Sequence, residues 1–277
     1  MESLEKSKSV PVAARRLLGS ARVHLLGLDI DNFTMDETLS AIGEIMERRE
    51  FAYAVTPNVD HTVKFRKSQA FRDLYAKATL VVADGVPLVW ASRLLGTPLK
   101  QRINGTDLFE RSCEYAAQRG YSIFLLGGSP GAAEAAASKL SLRHPDLKIA
   151  GWDCPAYGFY KSPEQNEAVQ KIIRDSGAEI LFVGLGAPQQ EQWMCDYGAG
   201  TGAHFAIGVG VSFSFVGGLI PRAPLWMQRS SLEWLWRLGK EPRRLWRRYL
   251  LEDLPFFGML LRAMLKRSTQ RQAQDSL

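Results

Sequence analysis

Short apolar runs alternate along the chain with longer segments in which apolar residues recur at helical spacing. The run VHLLGLDI is predicted to be one strand, and it precedes TMDETLSAIGEIME, where Thr34 and Glu37 are spaced as a helix-capping box. The same order repeats with AYAVTPN, TLVVADG, SIFLLGGSPG and EILFVGLGAPQQ, each of which precedes a helix-like segment. KIAGW is a further apolar run, and HFAIGVG is predicted to be the last strand of the core.

This alternation predicts the fold class. Strands that are apolar throughout are typical of a parallel sheet covered by helices on both faces. We therefore predict an α/β core, a Rossmann-like and mostly parallel sheet flanked by helices, over residues 21–220. Residues 1–20 are predicted to be a polar leader, and residues 221–277, rich in Trp and Arg and interrupted by prolines, a helical appendage that associates with a membrane.

Composition narrows the class of protein. The chain has 277 residues, of which 46% are hydrophobic and 23% charged, as expected for a globular protein. Its three cysteines are widely spaced, which predicts neither a disulfide framework nor a zinc site. The polar start lacks the apolar core of a signal peptide, and no uncharged apolar run reaches the roughly 20 residues of a membrane span. We expect a cytoplasmic protein.

Positive charge is concentrated at the end of the chain. The net charge is +6, and the segment from Arg222 onward holds twelve Lys/Arg against five Asp/Glu. At about 100° per residue, EPRRLWRRYLL forms an amphipathic helix. Its arginine face and its apolar face comprise Arg243, Arg244, Arg247, Arg248 and Leu245, Trp246, Tyr249, Leu250, respectively. We predict that it rests on an anionic membrane surface. The alternatives are packing on the core or a homo-oligomer contact.

Four polar loops are predicted to form the ligand site. They are TPN (56–58), ADG (83–85), GGSPG (127–131) and GLGAPQQ (184–190), and each joins a strand to a helix. In an open parallel sheet, ligands bind at the carboxyl ends of the strands, where these loops meet. The sequence therefore predicts a crevice lined by the four loops.

The GGSPG loop is a candidate diphosphate site. Gly127 and Gly128 allow a close backbone approach, and the helix that follows can present free N–H groups to an anion. A tight turn alone explains the same residues, and the strict GxGxxG dinucleotide motif is absent. Asp153, after KIAGW, can accept a bond from a ribose hydroxyl.

Asp84 is the candidate catalytic base. It stands where the strand TLVVA ends and faces the predicted crevice, and Gly85 after it permits a close approach of the backbone. A carboxylate there can take the proton from a sugar hydroxyl. The alternative is that Asp84 caps the helix beginning near Val86.

Further polar side chains of these loops suit sugar hydroxyls or phosphate. Thr56 and Asn58 are the candidates in the TPN loop, with a cap or turn as the alternative. Gln190 is the candidate in the last loop, with a solvated first turn of the next helix as the alternative. Asp29 and Asp31 resemble a metal-binding DxD triplet, but so short a pattern arises easily by chance, and we expect no metal there.

The order of these motifs resembles the WecG/TagA/CpsF glycosyltransferases, glycosyltransferase family 26. The resemblance runs from Val23 to Tyr249 and rests on TPNVDH, VVADGVPLVW, QRINGTDLF, FLLGGSPGAAE, LFVGLGAPQQEQW, AIGVGVSFSFVGG and RAPLWM with LEWLWRL and EPRRLWRRYL. It implies an inverting enzyme that needs neither metal nor other cofactor. The implied donor is a nucleotide sugar with UDP as the nucleotide. The implied acceptor is an undecaprenyl-diphosphate-linked sugar on the inner face of the cytoplasmic membrane, used in building exopolysaccharide, teichoic acid or common antigen.

The resemblance also implies residue roles. Asp84 corresponds to the family's proposed catalytic Asp, and the matched substrate-binding positions are Thr56, Asn58, Arg102 and Gln190. Arginines of the family's appendage are thought to reach the site at the membrane, with Arg237, Arg243 and Arg247 as counterparts here. One departure is Ser214, where many relatives have Asp, which puts substrate preference in doubt.

Two other functions remain open from the residues alone. An NAD(P)-dependent oxidoreductase would use GGSPG and Asp153 for the cofactor, but the dinucleotide motif is missing. A non-enzymatic adaptor would rely on the basic appendage, which leaves the four polar loops unexplained. We therefore expect a glycosyltransferase that binds a nucleotide sugar, a lipid-linked sugar and a membrane, and no nucleic acid.

Overall fold

The computed structural model of the protein describes residues 21–230, 232–240, 242–247 and 251–274. The predicted leader, residues 1–20, lies outside the described residues, as do Arg248, Tyr249 and Leu250 of the predicted basic helix.

The first apolar run forms a hairpin, so the prediction of a single strand was wrong. Strands β1 (Arg22–Leu25) and β2 (Leu28–Asp31) pair antiparallel, with Leu25 opposite Leu28. Leu26 and Gly27 between them have φ values of 51° and 98°. Two successive residues with positive φ are typical of the tight turn that reverses a chain within two residues.

The other strands form one parallel sheet, which confirms the predicted fold class. They are β3 (Ala52–Val55), β4 (Leu80–Val81), β5 (Ser122–Gly127), β6 (Lys148–Asp153), β7 (Ile180–Gly184) and β8 (Phe205–Gly208). Their order is β4-β3-β8-β7-β5-β6, and every neighbouring pair is parallel. The last strand, β8, therefore lies near the middle of the sheet.

Helices connect and cover these strands. The helices of the core are α1 (Met35–Arg48), α2 (Val59–Lys67), α3 (Gln69–Lys77), α4 (Val86–Leu94), α5 (Gly105–Arg119), α6 (Ala132–Arg143), α7 (Pro163–Ser176), α8 (Gln189–Tyr197) and α9 (Ser212–Val216). Short 3-10 helices span Phe159–Lys161 and Gly198–Thr201. Thr34 and Glu37 form the predicted capping box at the start of α1.

The sheet is buried on both faces because each strand alternates its side chains between two cores. Tyr53 and Val55 of β3 pack into one core, whereas Ala52 and Ala54 pack into the other. The strands β5, β7 and β8 alternate in the same way. A parallel sheet needs helices on both sides, and the uniformly apolar runs of the sequence reflect this.

The C-terminal appendage is helical in its described parts. It comprises α10 (Leu225–Arg229), α11 (Glu233–Lys240), α12 (Pro242–Arg247) and α13 (Leu254–Gln274). Leu245 and Phe256 are buried, and Phe256 and Leu260 of α13 join the core on one face of the sheet. Among the described residues, no helix combines the length and the apolar character needed to cross a membrane.

The contact between α6 and α9 predicts the effect of a methyl group at Gly217. A Cβ on Gly217 would stand 2.9 Å from Ala135 Cβ and 3.0 Å from the Ala136 backbone nitrogen, so the two helices would have to separate. We expect Gly217→Ala to lower the free energy of unfolding by about 1–3 kcal/mol in urea denaturation. In the control Gly239→Ala, the new methyl group meets no atom within 4 Å, and unchanged or higher stability is expected. Equal stability of the two variants would contradict the prediction.

Candidate active site

The loops after β3 and β4 lie side by side and bring Thr56 and Asp84 together. The Asp84 backbone N–H donates to the Pro57 carbonyl at 2.9 Å, and the Ile103 N–H donates to the Ala83 carbonyl at 2.8 Å. Three segments that are distant in sequence are thereby joined at the carboxyl edge of the sheet, as predicted for the first two loops.

Asp84 does not cap the helix that follows it. The N-cap of α4 is Gly85, and no side chain bonds to the start of that helix. The Asp84 carboxylate instead accepts a hydrogen bond from the backbone N–H of Gly105, the first residue of α5. Its side chain is 26% exposed, so the carboxylate is partly open to solvent while one side of it is held by a helix N-terminus.

Burial raises the pKa of the Asp84 carboxyl above its ordinary value. The positive charge of Arg102 opposes this rise, the negative charge of Glu233 adds to it, and Gly105 and Arg237 oppose it. A carboxylate with a raised pKa binds a proton more readily, which is the property required of a general base.

Arg102 is bound to Asp84 mainly through the backbone. Its Nε donates to the Asp84 carbonyl at 2.7 Å, whereas its Nη2 lies 3.7 Å from the Asp84 carboxylate. The same Nη2 lies 3.5 Å from a carboxylate oxygen of Glu233. The guanidinium, 24% exposed, is therefore shared between the carboxylates of Asp84 and Glu233.

Thr56 and Asn58 occupy different positions around this carboxylate. Thr56 is buried. If Gly105 carried a Cβ atom, the Thr56 hydroxyl and the Asp84 carboxylate would each lie 3.7 Å from it. Asn58 caps α2, where its Oδ1 accepts from the His61 N–H at 3.2 Å. The alternative interpretation of Asn58 as a helix cap is therefore confirmed, because its side-chain oxygen is the capping atom.

The GGSPG loop makes the tight turn that was the alternative interpretation of its glycines, and it packs against the loop after β7. Gly127 and Gly128 both have φ of 89°, and a Cβ on Gly127 would stand 2.6 Å from Leu185. The Gly128 N–H donates to the Gly184 carbonyl at 2.9 Å. The helix α6 that follows is capped at Gly131 without a side chain, so its first N–H groups have no side-chain acceptor.

Ser214, the departure from the resembled family, contacts this loop. Its hydroxyl lies 3.1 Å from that of Ser129. Cys154, just after β6, donates its thiol to the Gly128 carbonyl at 3.4 Å. Asp153 is the last residue of the edge strand β6, and partial burial raises the pKa of its carboxyl.

Gln190 is buried, so the alternative of a solvated first turn was wrong for it. Its Oε1 accepts from the Gly210 N–H at 3.1 Å, and its Nε2 donates to Glu191 at 2.9 Å. Gln190 thereby ties the loop after β7 to the loop after β8. Glu191 is fully buried, its Oε2 has no hydrogen-bond partner among the described residues, and burial raises its pKa from 4.5 to about 7.

The appendage arginines divide between the site and the surface. The Arg237 guanidinium lies 5.6 Å from the centre of the Phe215 ring, and its charge acts on Asp84. Arg247 is exposed and lies 3.7 Å from Glu252, and Arg243 is exposed on the same short helix. No contact joins Arg243 or Arg247 to Asp84 within the described residues.

Sequence reasoning missed a second group of charged residues beside Asp84. Glu233 of α11 contacts Arg102, the side chain of Asn104 at 3.4 Å and Arg222 at 3.6 Å. Arg222 also binds Asp107 on α5. Asn104 was recognisable as a cap from its place before Gly105, but nothing local in LEWLWRL connects Glu233 to Asp84, because the contact is between distant segments.

The DxD-like triplet belongs to the hairpin. The Asp31 carboxylate accepts from Arg22 Nε at 2.8 Å and from the Val81 backbone N–H at 2.9 Å, and Asp29 pairs with His24. These bonds give Asp31 a role in joining the hairpin to β4. Across the part of the chain that the structure describes, no three His, Cys, Asp or Glu residues are grouped to hold a metal ion.

The parallel sheet and the helices that cover it define a Rossmann-like α/β protein, with the Asp84–Arg102 pair at the carboxyl edge of the sheet. Residues 23–270 match the family model described as the glycosyl transferase WecG/TagA/CpsF family. The chain belongs to this family, as its motifs indicated, and it is a glycosyltransferase.

Two proteins of Staphylococcus aureus, from strains MW2 and NCTC 8325 / PS 47, are similar to the chain. Each is 30% identical over 240 residues, which cover 86% of this chain and 91% of the relative. Both bear the name N-acetylglucosaminyldiphosphoundecaprenol N-acetyl-beta-D-mannosaminyltransferase.

The buried Glu191 predicts a pH dependence of stability. Between about pH 4.5 and 7 the folded state keeps a proton that the unfolded chain releases, so the contribution of Glu191 to stability falls as pH rises through this window. Above about pH 8, where Glu191 is ionised in both the folded and the unfolded state, the cost is constant, on the order of 3 kcal/mol. We expect Glu191→Gln to remove this fall. The free energy of unfolding of the variant should therefore increase relative to that of the wild type between about pH 5 and 8.

The measurement is urea unfolding of both proteins at several pH values. Glu167→Gln, an exposed position on α7, is the matched control and should run parallel to wild type. A constant difference between Glu191→Gln and wild type across the range would contradict the prediction.

Proposed function

We propose that the enzyme transfers a sugar, with inversion, from a nucleotide sugar to a sugar linked to polyprenyl diphosphate. The observation that best supports this reaction is the Asp84 carboxylate, which is partly exposed, has a raised pKa and has Arg102 beside it. The acceptor class is supported by the relatives' names, which specify an N-acetylglucosaminyl-diphosphoundecaprenol substrate. UDP is proposed as the nucleotide, and a bacterial cell-surface polysaccharide as the product of the route.

The proposed chemistry is a single displacement. Asp84 takes the proton from the acceptor hydroxyl as the hydroxyl oxygen forms a bond to the anomeric carbon of the donor. The bond from that carbon to the diphosphate oxygen breaks on the opposite side, and the nucleoside diphosphate leaves with the electron pair. Thr56, whose hydroxyl and the Asp84 carboxylate both face Gly105, is proposed to orient the acceptor sugar.

The leaving diphosphate requires positive charge or N–H donors. We assign it to the GGSPG loop, because Gly127 and Gly128 permit a close approach and the first N–H groups of α6 have no side-chain cap. Arg102 and Arg237 lie near Asp84 and are proposed to stabilise the developing charge. Gln190 and Asn58 support the neighbouring loops, with the Asn58 amide nitrogen proposed as a donor to substrate.

A membrane contact is proposed for the appendage. On α13, the exposed apolar residues Leu254, Phe257, Leu261 and Leu265 follow one another at helical spacing and form a single stripe. The exposed basic residues Arg262 and Lys266 flank it. An apolar stripe beside basic side chains suits the interface of an anionic membrane. We propose that the enzyme works at the inner face of the cytoplasmic membrane, with Arg243 and Arg247 toward lipid phosphates or substrate diphosphate.

Replacing Asp84 by Asn tests the proposed base. The amide keeps the size of the side chain and can still accept from Gly105, but it cannot take a proton. We expect kcat to fall by about 10²- to 10⁴-fold. Product is measured by mass spectrometry with UDP-N-acetylmannosamine and an N-acetylglucosaminyl-diphosphoryl lipid as the first substrate pair. Asp73→Asn, exposed on α3, is the control and should retain wild-type turnover. Near wild-type turnover in Asp84→Asn would refute the assignment.

The apolar stripe predicts the strength of membrane binding. We expect Phe257→Glu with Leu261→Glu to weaken binding to anionic vesicles by at least about tenfold, because each apolar side chain contributes about 1–2 kcal/mol on burial. Binding is measured by vesicle sedimentation, with urea unfolding to check that the fold is kept. Leu142→Glu, 78% exposed on α6, is the control for an exposed apolar residue away from the stripe. Equal loss in both proteins would argue against the stripe.

A further inference from the structure

Glu233 carries a carboxylate from the appendage into the core. It is the first residue of α11, and its side chain is only 12% exposed. The groups around it are Arg102, Arg222 and the side-chain amide of Asn104, all of which come from outside α11. A buried carboxylate needs such partners, because burying its charge without them would cost roughly several kcal/mol.

Arg102 lies near two carboxylates and forms a close ion pair with neither of them. Its Nη2 is 3.5 Å from Glu233 Oε2 and 3.7 Å from Asp84 Oδ1. Its Nε donates to the Asp84 carbonyl, which fixes one edge of the guanidinium. Nη2 then interacts with both the Asp84 and the Glu233 carboxylates. A full ion pair with Asp84 would require Nη2 to move toward it and away from Glu233.

We propose that Glu233 is a positioning residue for catalysis, which shares the Arg102 guanidinium with Asp84 and so prevents the arginine from closing onto the catalytic carboxylate. The inference rests on the proposed role of Asp84 as the base. A base that is locked in a direct ion pair is a weaker proton acceptor than one whose arginine is partly withdrawn. Glu233 thereby keeps Asp84 reactive while leaving a positive charge in the crevice for the diphosphate.

The charges around Asp84 agree with this role. The charged groups that act on it are Arg102, Glu233 and Arg237, together with the Gly105 N–H. After burial, which raises the pKa of Asp84 most, Glu233 is the group that raises it further, whereas the two arginines and Gly105 lower it. Loss of Glu233 would remove a negative charge and release Arg102 toward Asp84, and both changes lower the pKa.

Arg222 faces Glu233 on the side away from Arg102, and its Nε makes no hydrogen bond within the described residues. Its Nε lies 3.6 Å from Glu233 Oε1, and its other nitrogens contact Asp107 and Glu110 on α5. Although burial lowers the pKa of Arg222, these acids raise it above its ordinary value, so the arginine stays charged. Glu233 therefore lies between two arginines, one of which is bound to α5 and the other to the Asp84 loop, and it is placed by their charge.

The test is Glu233→Gln, which keeps the shape of the side chain and removes its charge. The Asp84 carboxyl is titrated by carbon-13 NMR in the full-length protein, with its signal assigned from Asp84→Asn. We expect its pKa to fall in Glu233→Gln and to stay unchanged in Glu110→Gln. Glu110 also contacts Arg222, but it makes no contact with Arg102 among the described residues, which makes it a matched control. An unchanged pKa in Glu233→Gln, or an equal fall in both variants, would overturn the inference.

Turnover gives a second readout that a purely structural role would not move. The acid limb of the kcat–pH profile should shift to lower pH in Glu233→Gln, and kcat at its plateau should fall by about tenfold, as expected for a weaker base. If the carboxyl pKa falls while the acid limb stays in place, the role of Glu233 toward Arg102 stands and the assignment of Asp84 as the base fails. If Glu233→Gln unfolds, Glu233→Asp replaces it. Its side chain is one methylene shorter, which withdraws the carboxylate from Arg102, so the pKa of Asp84 should fall, and an unchanged pKa would overturn the inference.

Discussion

The parallel direction of all six strands is the constraint on which the site depends. It places the carboxyl end of every strand at one edge of the sheet, so the loops that follow β3, β4, β5 and β7 must gather there. The hydrogen bond between the Asp84 N–H and the Pro57 carbonyl is a direct result, because β3 and β4 are neighbours. Burial on both faces keeps this sheet rigid, and the site is built from loops that it holds in place.

Charge is the second constraint, because acids and arginines that lie partly out of water must satisfy one another. The Asp84 carboxylate is balanced by the Gly105 N–H and by Arg102, 3.7 Å away, and the Glu233 carboxylate by Arg102 and Arg222. Removing any one of these groups leaves another with an unbalanced charge. The appendage is thus attached to the core by the same charged groups that set the environment of Asp84, in addition to the apolar contacts of Phe256.

Features that depend on neighbours in sequence were predictable, and features that depend on tertiary contacts were not. The Thr34 capping box and the alternation of strands and helices are local and are present as expected, and the Asn58 cap, which was the alternative for that residue, is local too. The hairpin was missed because Leu26 and Gly27 are not a usual turn pair. The burial of Gln190 and the contact of Glu233 with Arg102 follow from segments that meet only in the folded chain.

The short helix α11 relates the site to the exposed apolar surface. Glu233 and Arg237, one turn apart, act on the Asp84 region, whereas Trp234 and Leu235 are 48% and 46% exposed. A helix with its side chains is about 10–12 Å across, so the crevice and an apolar surface are separated by roughly the thickness of one helix. A sugar on a lipid diphosphate stays close to the membrane surface. If the membrane contact proposed for α13 extends to the exposed face of α11, such an acceptor needs to rise by only this distance to reach Asp84.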